Sequence, residues 1–357
     1  MPHATPLLAL LLLASTPALA QNGPPPLTPE QSQAASARYQ QYCALCHSPD
    51  RSGYANDHAP SLKSPQLFAA GYPYIIGEAI AYGRPGTPMG AYHEEVGGPL
   101  KRAEIRELTM WLRDQAGAEP VELPDGAVLG DVALGAQVYA DTCATCHGAQ
   151  GEGGTGTALG NATMLALTPD AFIRHTIENG RDGTPMLAFR DTLSDAQIDG
   201  VTAFIRSRSS GWTVPEPQRH VPPALDAYIM NPEAPAPEFA LTDGLYVSSA
   251  ELDRELKAGK RLVLLDTRVT SMWERGHIEG SVPGPYYASR EEVMANLPTD
   301  GTWIVAYCEC PRAAAESVVR KLREGGLTHT AVLWEGFQGW VSLGYPVVGG
   351  NAAPKPE

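Results

Sequence analysis

Two pentapeptides in this chain have the residue types and spacing for covalent chemistry on a metalloporphyrin. Cys43-Ala44-Leu45-Cys46-His47 and Cys143-Ala144-Thr145-Cys146-His147 are both C-x-x-C-H, the pattern at which a c-type haem is attached. Two thiols two residues apart at the start of a helix reach both vinyl groups of one porphyrin and form thioethers. The histidine that follows presents a ring nitrogen to the iron. For a single copy, a zinc site or a redox C-x-x-C is the alternative. Two copies in matching surroundings point to two covalently bound haem c groups. Cys43, Cys46, Cys143 and Cys146 are then the attachment residues, and His47 and His147 the iron ligands.

The elements that must position these residues repeat as well. Each motif is followed by a second shared segment, Gly83-Arg84-Pro85-Gly86-Thr87-Pro88-Met89 and Gly180-Arg181-Asp182-Gly183-Thr184-Pro185-Met186. Ahead of these, Ile75, Ile76 and Ile80 match Phe172, Ile173 and Ile177, one flank of a short helix that ends at the glycine. Behind them, Leu100, Ile105, Leu108, Trp111 and Leu112 match Leu193, Ile198, Val201, Phe204 and Ile205, the apolar face of a closing helix. Residues 30–114 and 131–208 therefore read as two copies of one small all-α domain, joined by a linker at 115–130.

On these residues each repeat resembles the class I cytochrome c family, in particular the small type with a GTPM loop found in multihaem periplasmic and oxidase-associated cytochromes. The resemblance implies Met89 and Met186 as the sixth iron ligands, opposite His47 and His147. A thioether ligand suits an iron held at high potential. Met164 and Met110 have no counterpart in the other repeat and read as core residues. His58, His93 and His175 are rival ligands, but none recurs at an equivalent place.

Leu7 to Ala14 is an apolar run followed by Ala18-Leu19-Ala20, the form of a secretory signal at residues 1–20 with an A-x-A cleavage site. Its first residues carry His3 but no Lys or Arg. This predicts export to the periplasm. The run is too short to span a bilayer and no later stretch approaches 18 apolar residues, so no transmembrane anchor is expected. Lys and Arg number 26 against 40 Asp and Glu, a formal net charge of −14, which argues against nucleic acid. Residues 121–210 hold 5 basic and 11 acidic side chains, a balance of −6 in the second repeat. That face could meet a basic partner. Four of the 6 cysteines belong to the haem motifs, so no disulfide framework is available.

Residues 211–237 contain seven prolines and read as an extended linker, placed at 211–240. Beyond it the rhythm changes. Residues 261–266, 303–307 and 330–333 are buried strands and 249–258 and 312–324 helices, which predicts an α/β unit, a parallel sheet between two helical layers. Cys308 falls at a strand end just ahead of a helix, where the ligand of such sheets is bound. Backbone amides and the helix dipole there would lower a thiol pKa and favour an anion or a persulfide. Cys310 could resolve a persulfide or sulfenate on Cys308.

Residues 245–350 resemble a rhodanese domain through Asp266-Thr267-Arg268, Gly276-His277-Ile278-Glu279-Gly280-Ser281, Tyr307-Cys308, Glu335-Gly336-Phe337 and Gly344-Tyr345-Pro346-Val347. The resemblance implies Cys308 as the sulfur-accepting nucleophile and Arg312 as the holder of a small sulfur-containing anion, with Asp266 and His277 as scaffold. The loop departs from the commoner C-x-x-G-x-R. Pro311 stands at the glycine and Arg312 comes one place early. The chain is thus expected to be multidomain, two cytochrome c domains followed by a rhodanese-like domain. One-electron transfer with redox partners (other cytochromes, an oxidase or a dehydrogenase) is the expected function, with sulfurtransferase chemistry at Cys308. In one alternative the rhodanese-like unit only docks. In another the chain is a dihaem enzyme oxidising thiosulfate; relatives with that activity use a cysteine ligand, and 30–208 has none to spare.

Overall fold

The computed structural model describes residues 26–56, 58–70, 73–209, 221–309 and 312–349. The expected signal segment, the start of the Pro-rich stretch, and Cys310 with Pro311 lie outside the described residues.

The first repeat is built from α1 (Pro29–Tyr42), α2 (Ala44–His47), α3 (Pro65–Ala69), α4 (Pro73–Tyr82) and α5 (Arg102–Ala116). Thr28 starts α1 with a capping box closed by Gln31. Gly117, left-handed, ends α5. The apolar face expected of α5 packs inward, with Ile105, Leu108, Trp111 and Leu112 buried. The second repeat follows with α6 (Val132–Val138), a single π-helical turn at Tyr139–Cys143, α7 (Ala144–His147), α8 (Ala162–Leu167), α9 (Asp170–Asn179) and α10 (Asp195–Ser207). Ser194 and Gln197 form the capping box of α10. Ile198, Val201 and Ile205 bury on the matching face. The segment joining the repeats is anchored, Val121 N–H to the Ala69 carbonyl and Val128 N–H to Asp170.

The C-terminal unit runs β1 (Tyr246–Val247), α11 (Ser249–Lys257), β2 (Leu262–Asp266), α12 (Thr270–Arg275), β3 (Gly276–Ile278), β4 (Val282–Pro283), α13 (Arg290–Met294), β5 (Trp303–Tyr307), α14 (Ala313–Glu324), β6 (Thr330–Leu333), α15 (Gly336–Ser342) and β7 (Val347–Gly349). Five strands form a parallel sheet in the order β1-β6-β5-β2-β4. Its two faces carry separate apolar clusters. One forms around Val263, Ile304, Val318 and Val332, the other around Leu252, Leu264, Val305 and Trp340. The antiparallel pair of β3 and β7 escaped the sequence reading because three-residue strands carry no period.

The expected linker is shorter than its proline content implies. From Tyr228 on, the chain belongs to the α/β unit. Tyr228 is buried, Met230 N–H donates to the Leu262 carbonyl, and Arg261 N–H donates to the Pro235 carbonyl. Proline permits such an extended edge segment as readily as a free one.

The units are packed together. Phe172 of the second repeat and Val269 of the α/β unit both lie in the core of the first.

Candidate functional site

In both repeats the C-x-x-C-H helix is a single turn held from behind by a tyrosine. Tyr39 Oη donates to the Ser48 carbonyl at 2.7 Å and Tyr139 Oη to the Gly148 carbonyl at 2.9 Å. The histidines are oriented alike. His47 Nδ1 is 2.8 Å from the Pro60 carbonyl and His147 Nδ1 2.8 Å from the Thr157 carbonyl. With Nδ1 donating there, Nε2 is left as the metal-binding nitrogen. Burial pulls both imidazoles below their ordinary pKa, keeping the neutral form that a metal requires. Burial also pushes the Cys43 thiol up to about 12 and the Cys143 thiol up to about 11. Neither is a ready thiolate.

The methionine loops repeat down to their hydrogen bonds. Thr87 Oγ1 donates to the Arg84 carbonyl (2.7 Å) and accepts from Met89 N–H (3.2 Å), while Arg84 N–H donates to the Met89 carbonyl (2.8 Å). Thr184, Arg181 and Met186 make the same three bonds at 2.8, 3.1 and 2.9 Å. Gly83 (φ +65°) closes the first loop, where a Cβ would lie 2.6 Å from the backbone of Gly90. Gly180 does so in the second. Met89 packs against the first core; Met186 is half-buried. His58 is exposed, His175 bonds Asn179, and His93 accepts from Glu95 N–H.

The residues fit a haem with anionic substituents. Arg51 Nη1, buried in the first site, has no hydrogen-bond partner. Arg84 and Arg181 have no carboxylate partner among the described residues. Desolvation pushes each down to about 10, Arg84 also opposing the charge of Arg181. Cations so placed await an anion. The sequence reading passed over both arginines, although they stand at the same offset in the two G-R-x-G-T-P-M segments. Each Met loop also meets a helix of the other repeat. Asn161 Nδ2 donates to the Pro85 carbonyl at 2.9 Å, and Gln66 pairs with Asp182.

In the α/β unit Cys308 follows β5 and is 4% exposed. The carbonyls of Cys308 and Glu309 accept from Phe337 and Gln338 N–H at 2.8 and 3.1 Å. Gly336 (φ +63°) allows this approach, since a Cβ there would sit about 3 Å from both carbonyls. Arg312 turns over the Trp334 ring at 3.8 Å, 3.5 Å from Glu316. The scaffold reading of Asp266 and His277 fits their surroundings: Asp266 is fully buried against Arg268, and His277 stacks on Trp273. Arg268 was missed. Burial works against its charge, yet Asp266 and Glu309 hold it above its ordinary pKa, and it bonds Glu309 at 2.8 Å.

Residues 130–205 match the family of cbb3-type cytochrome c oxidase subunit III, and residues 248–343 match the rhodanese-like domain. The chain is 30% identical to the cbb3-type oxidase subunit FixP of Azorhizobium caulinodans, over 47% of this chain and 57% of that protein. It is 32% identical to cytochrome c6 of a Synechococcus species, over 29% of this chain and 83% of that protein. A rhodanese-like domain from Anabaena shares 24% identity, covering 31% of this chain and 84% of that one with a TM-score of 0.28. The chain spans a little over half the length of its FixP relative. It belongs to the c-type cytochromes and carries a C-terminal rhodanese-like domain. Its cytochrome part is an electron-transfer module for covalently bound haem c, and among the described residues no helix is long and apolar enough to cross a membrane.

Proposed function

We propose that this chain is an exported, periplasmic dihaem electron carrier. Cys43, Cys46, His47 and Met89 hold one haem, and Cys143, Cys146, His147 and Met186 the other. Bound haem supplies the one-electron couple of its iron. The protein fixes the histidine tautomer through Pro60 and Thr157, presents a methionine on a loop tied by its threonine, and sets arginines against the haem anions. The observation that carries the reading is the identity of the three Met-loop hydrogen bonds in both repeats. The likeness to FixP, whose name places it in a terminal oxidase, supports an oxidase as one redox partner. Intact-mass spectrometry with a haem assay tests the count: a chain beginning at Gln21 and two haem masses are expected, and one haem refutes it. Met89→Ala and Met186→Ala should each remove one thioether-to-iron band and lower one potential. Unchanged spectra in both refute the ligand assignment.

Rhodanese-type chemistry at Cys308 belongs to the same proposal: a sulfane donor transfers its outer sulfur to the thiolate as a persulfide and leaves as the reduced anion. Arg312 would hold that anion and Cys310 would resolve the persulfide. The second reading, a docking unit without turnover, has its own support in the burial of Cys308 and the stacking of Arg312 on Trp334. Peptide mapping after incubation with thiosulfate decides between them. Added sulfur on Cys308 supports transfer, and its absence leaves docking.

A further inference from the structure

The two Met loops share their bonding and differ in what covers them. In the first repeat the residues after Met89 are sealed by the rhodanese-like domain. A Cβ at Gly90 would come within 2.2 Å of Val269 and 2.8 Å of Met272. Ser271 Oγ donates to the Ala91 carbonyl at 2.5 Å. The attachment end of the same site is sealed too, where Tyr286 Oη donates to the Tyr42 carbonyl beside Cys43 and accepts from Tyr92 Oη at 2.7 Å. Tyr287 packs edge-on to Tyr42 with ring centroids 5.1 Å apart.

Among the described residues the second repeat has no such cover. Gly180 closes on Leu187 and Ala188 as Gly83 closes on Gly90, so Leu187 stands at the place of Gly90. Gly90 is buried, whereas Leu187 is 69% exposed. Ala188 and Cys146 are exposed as well. A large apolar side chain is thus presented beside the Met loop, with the exposed Asp182 and Asp191 five and four residues away on either side. The domain that carries it holds 5 basic against 9 acidic side chains over residues 131–208.

We infer that the Leu187 face of the second cytochrome domain is the docking surface for a basic redox protein, and that the first domain, closed by the rhodanese-like unit, has no such port. The first repeat shows how the face works: a folded domain lies across the residue after the methionine, with apolar contact at the centre and hydrogen bonds around it. Leu187 supplies the apolar centre and the acidic residues the steering charge. The repeats touch where Asn161 meets Pro85 and Gln66 meets Asp182, and an electron entering the second site would pass to the first on that side. The inference rests on the reading that the second repeat holds haem.

The test uses the full haem-loaded chain and a basic monohaem cytochrome c as probe. Calorimetric titration at low ionic strength is expected to show binding that weakens as salt is added. Leu187→Gln and Asp191→Lys should each raise the dissociation constant at least about fivefold. Leu343→Gln, an exposed apolar residue of the α/β unit (58% exposed), should leave it unchanged. Carbodiimide cross-links should map to Asp182 and Asp191. No binding at low salt, equal binding by the Leu187 and Asp191 variants, or cross-links confined to 30–114 or 245–349 overturns the proposal. Visible spectra and a haem assay on the same samples report separately on haem loading. A chain lacking the second haem thus refutes the dihaem reading without being mistaken for a failed interface.

Discussion

The hydroxyl of Tyr286 lies 2.7 Å from that of Tyr92, so the α/β unit and the first cytochrome domain share a hydrogen bond. Tyr286 also donates to the Tyr42 carbonyl. Tyr286→Phe removes both bonds and leaves the Tyr92 hydroxyl only the Tyr42 carbonyl, 3.3 Å away, to donate to. At about 1 kcal/mol per neutral hydrogen bond, with a further cost for a desolvated acceptor, the variant is expected to lose about 1–3 kcal/mol, read from urea midpoints at pH 8.

The same pair sets a pH dependence. Burial raises both phenols well above 10, the neighbouring phenol adding to the rise at Tyr286. An unfolded chain releases such protons near pH 10, so above that pH the folded state binds more protons than the unfolded one. The stability contributed is therefore fully present below about pH 10 and falls as the pH rises beyond it. Between pH 9 and 11 the wild type should lose stability more steeply than Tyr286→Phe. Equal slopes would show that the phenols are not held by the interface.

The Met loops should distinguish two glycines three residues apart. Gly83→Ala forces a Cβ to 2.6 Å from backbone atoms of Met89 and Gly90. Backbone cannot yield as a flexible side chain does, so this variant should lose the methionine-to-iron band. Gly86 also has positive φ, +81°, but open space around it. Gly86→Ala should cost about 1–2 kcal/mol of backbone strain and keep the band. Visible and near-infrared spectra of both variants, in either oxidation state, decide this.

In the rhodanese-like domain the two arginines near Cys308 should separate structure from chemistry. Arg268 is 5% exposed and holds the buried carboxylates of Asp266 and Glu309. Arg268→Met strands both and should cost about 3–5 kcal/mol. Arg312→Met gives up a partly exposed pair with Glu316 and its stacking on Trp334, together worth about 1–2 kcal/mol, while weakening the hold on any sulfane donor there. Thermal melts and persulfide yield, measured together, check both parts. A melt of Arg312→Met as low as that of Arg268→Met contradicts the division of roles.

Limited proteolysis should cut the Pro-rich stretch ahead of Tyr228. Tyr228 is buried and Met230 and Pro235 are bonded to the sheet edge, whereas residues 211–227 are proline-rich with little apolar pattern. The products should be a haem-bearing fragment and a colourless one. First cleavage within 115–130 would place the weak point between the repeats instead.

The features legible in the sequence were those written in short covalent spacing or helical and strand period. C-x-x-C-H, the glycines and threonine of each Met loop, the apolar face of the closing helices and the strands at 303–307 and 330–333 depend on neighbours a few residues away. Repetition compounds that signal, since two copies of a segment must satisfy the same local geometry. Even there Arg84 and Arg181 went unread, because an arginine shows its purpose only once it is seen desolvated without a carboxylate. The extent of the linker was misjudged for a related reason. Proline reports an extended backbone, and says nothing of whether a strand further along the chain accepts it, as Leu262 accepts Met230.

What only the tertiary structure decided is which repeat is covered. Nothing in the local pattern of Tyr42, Tyr92 and Tyr286 brings them together across 244 residues of chain. Their meeting depends on shape and apolar burial between folded units, through Val269 and Met272 against Gly90. A glycine at 90 and a leucine at 187 look alike as loop residues in sequence. Packing makes one the seat of a domain and leaves the other facing solvent, because complementarity between surfaces is a property of the folded pair and not of either segment.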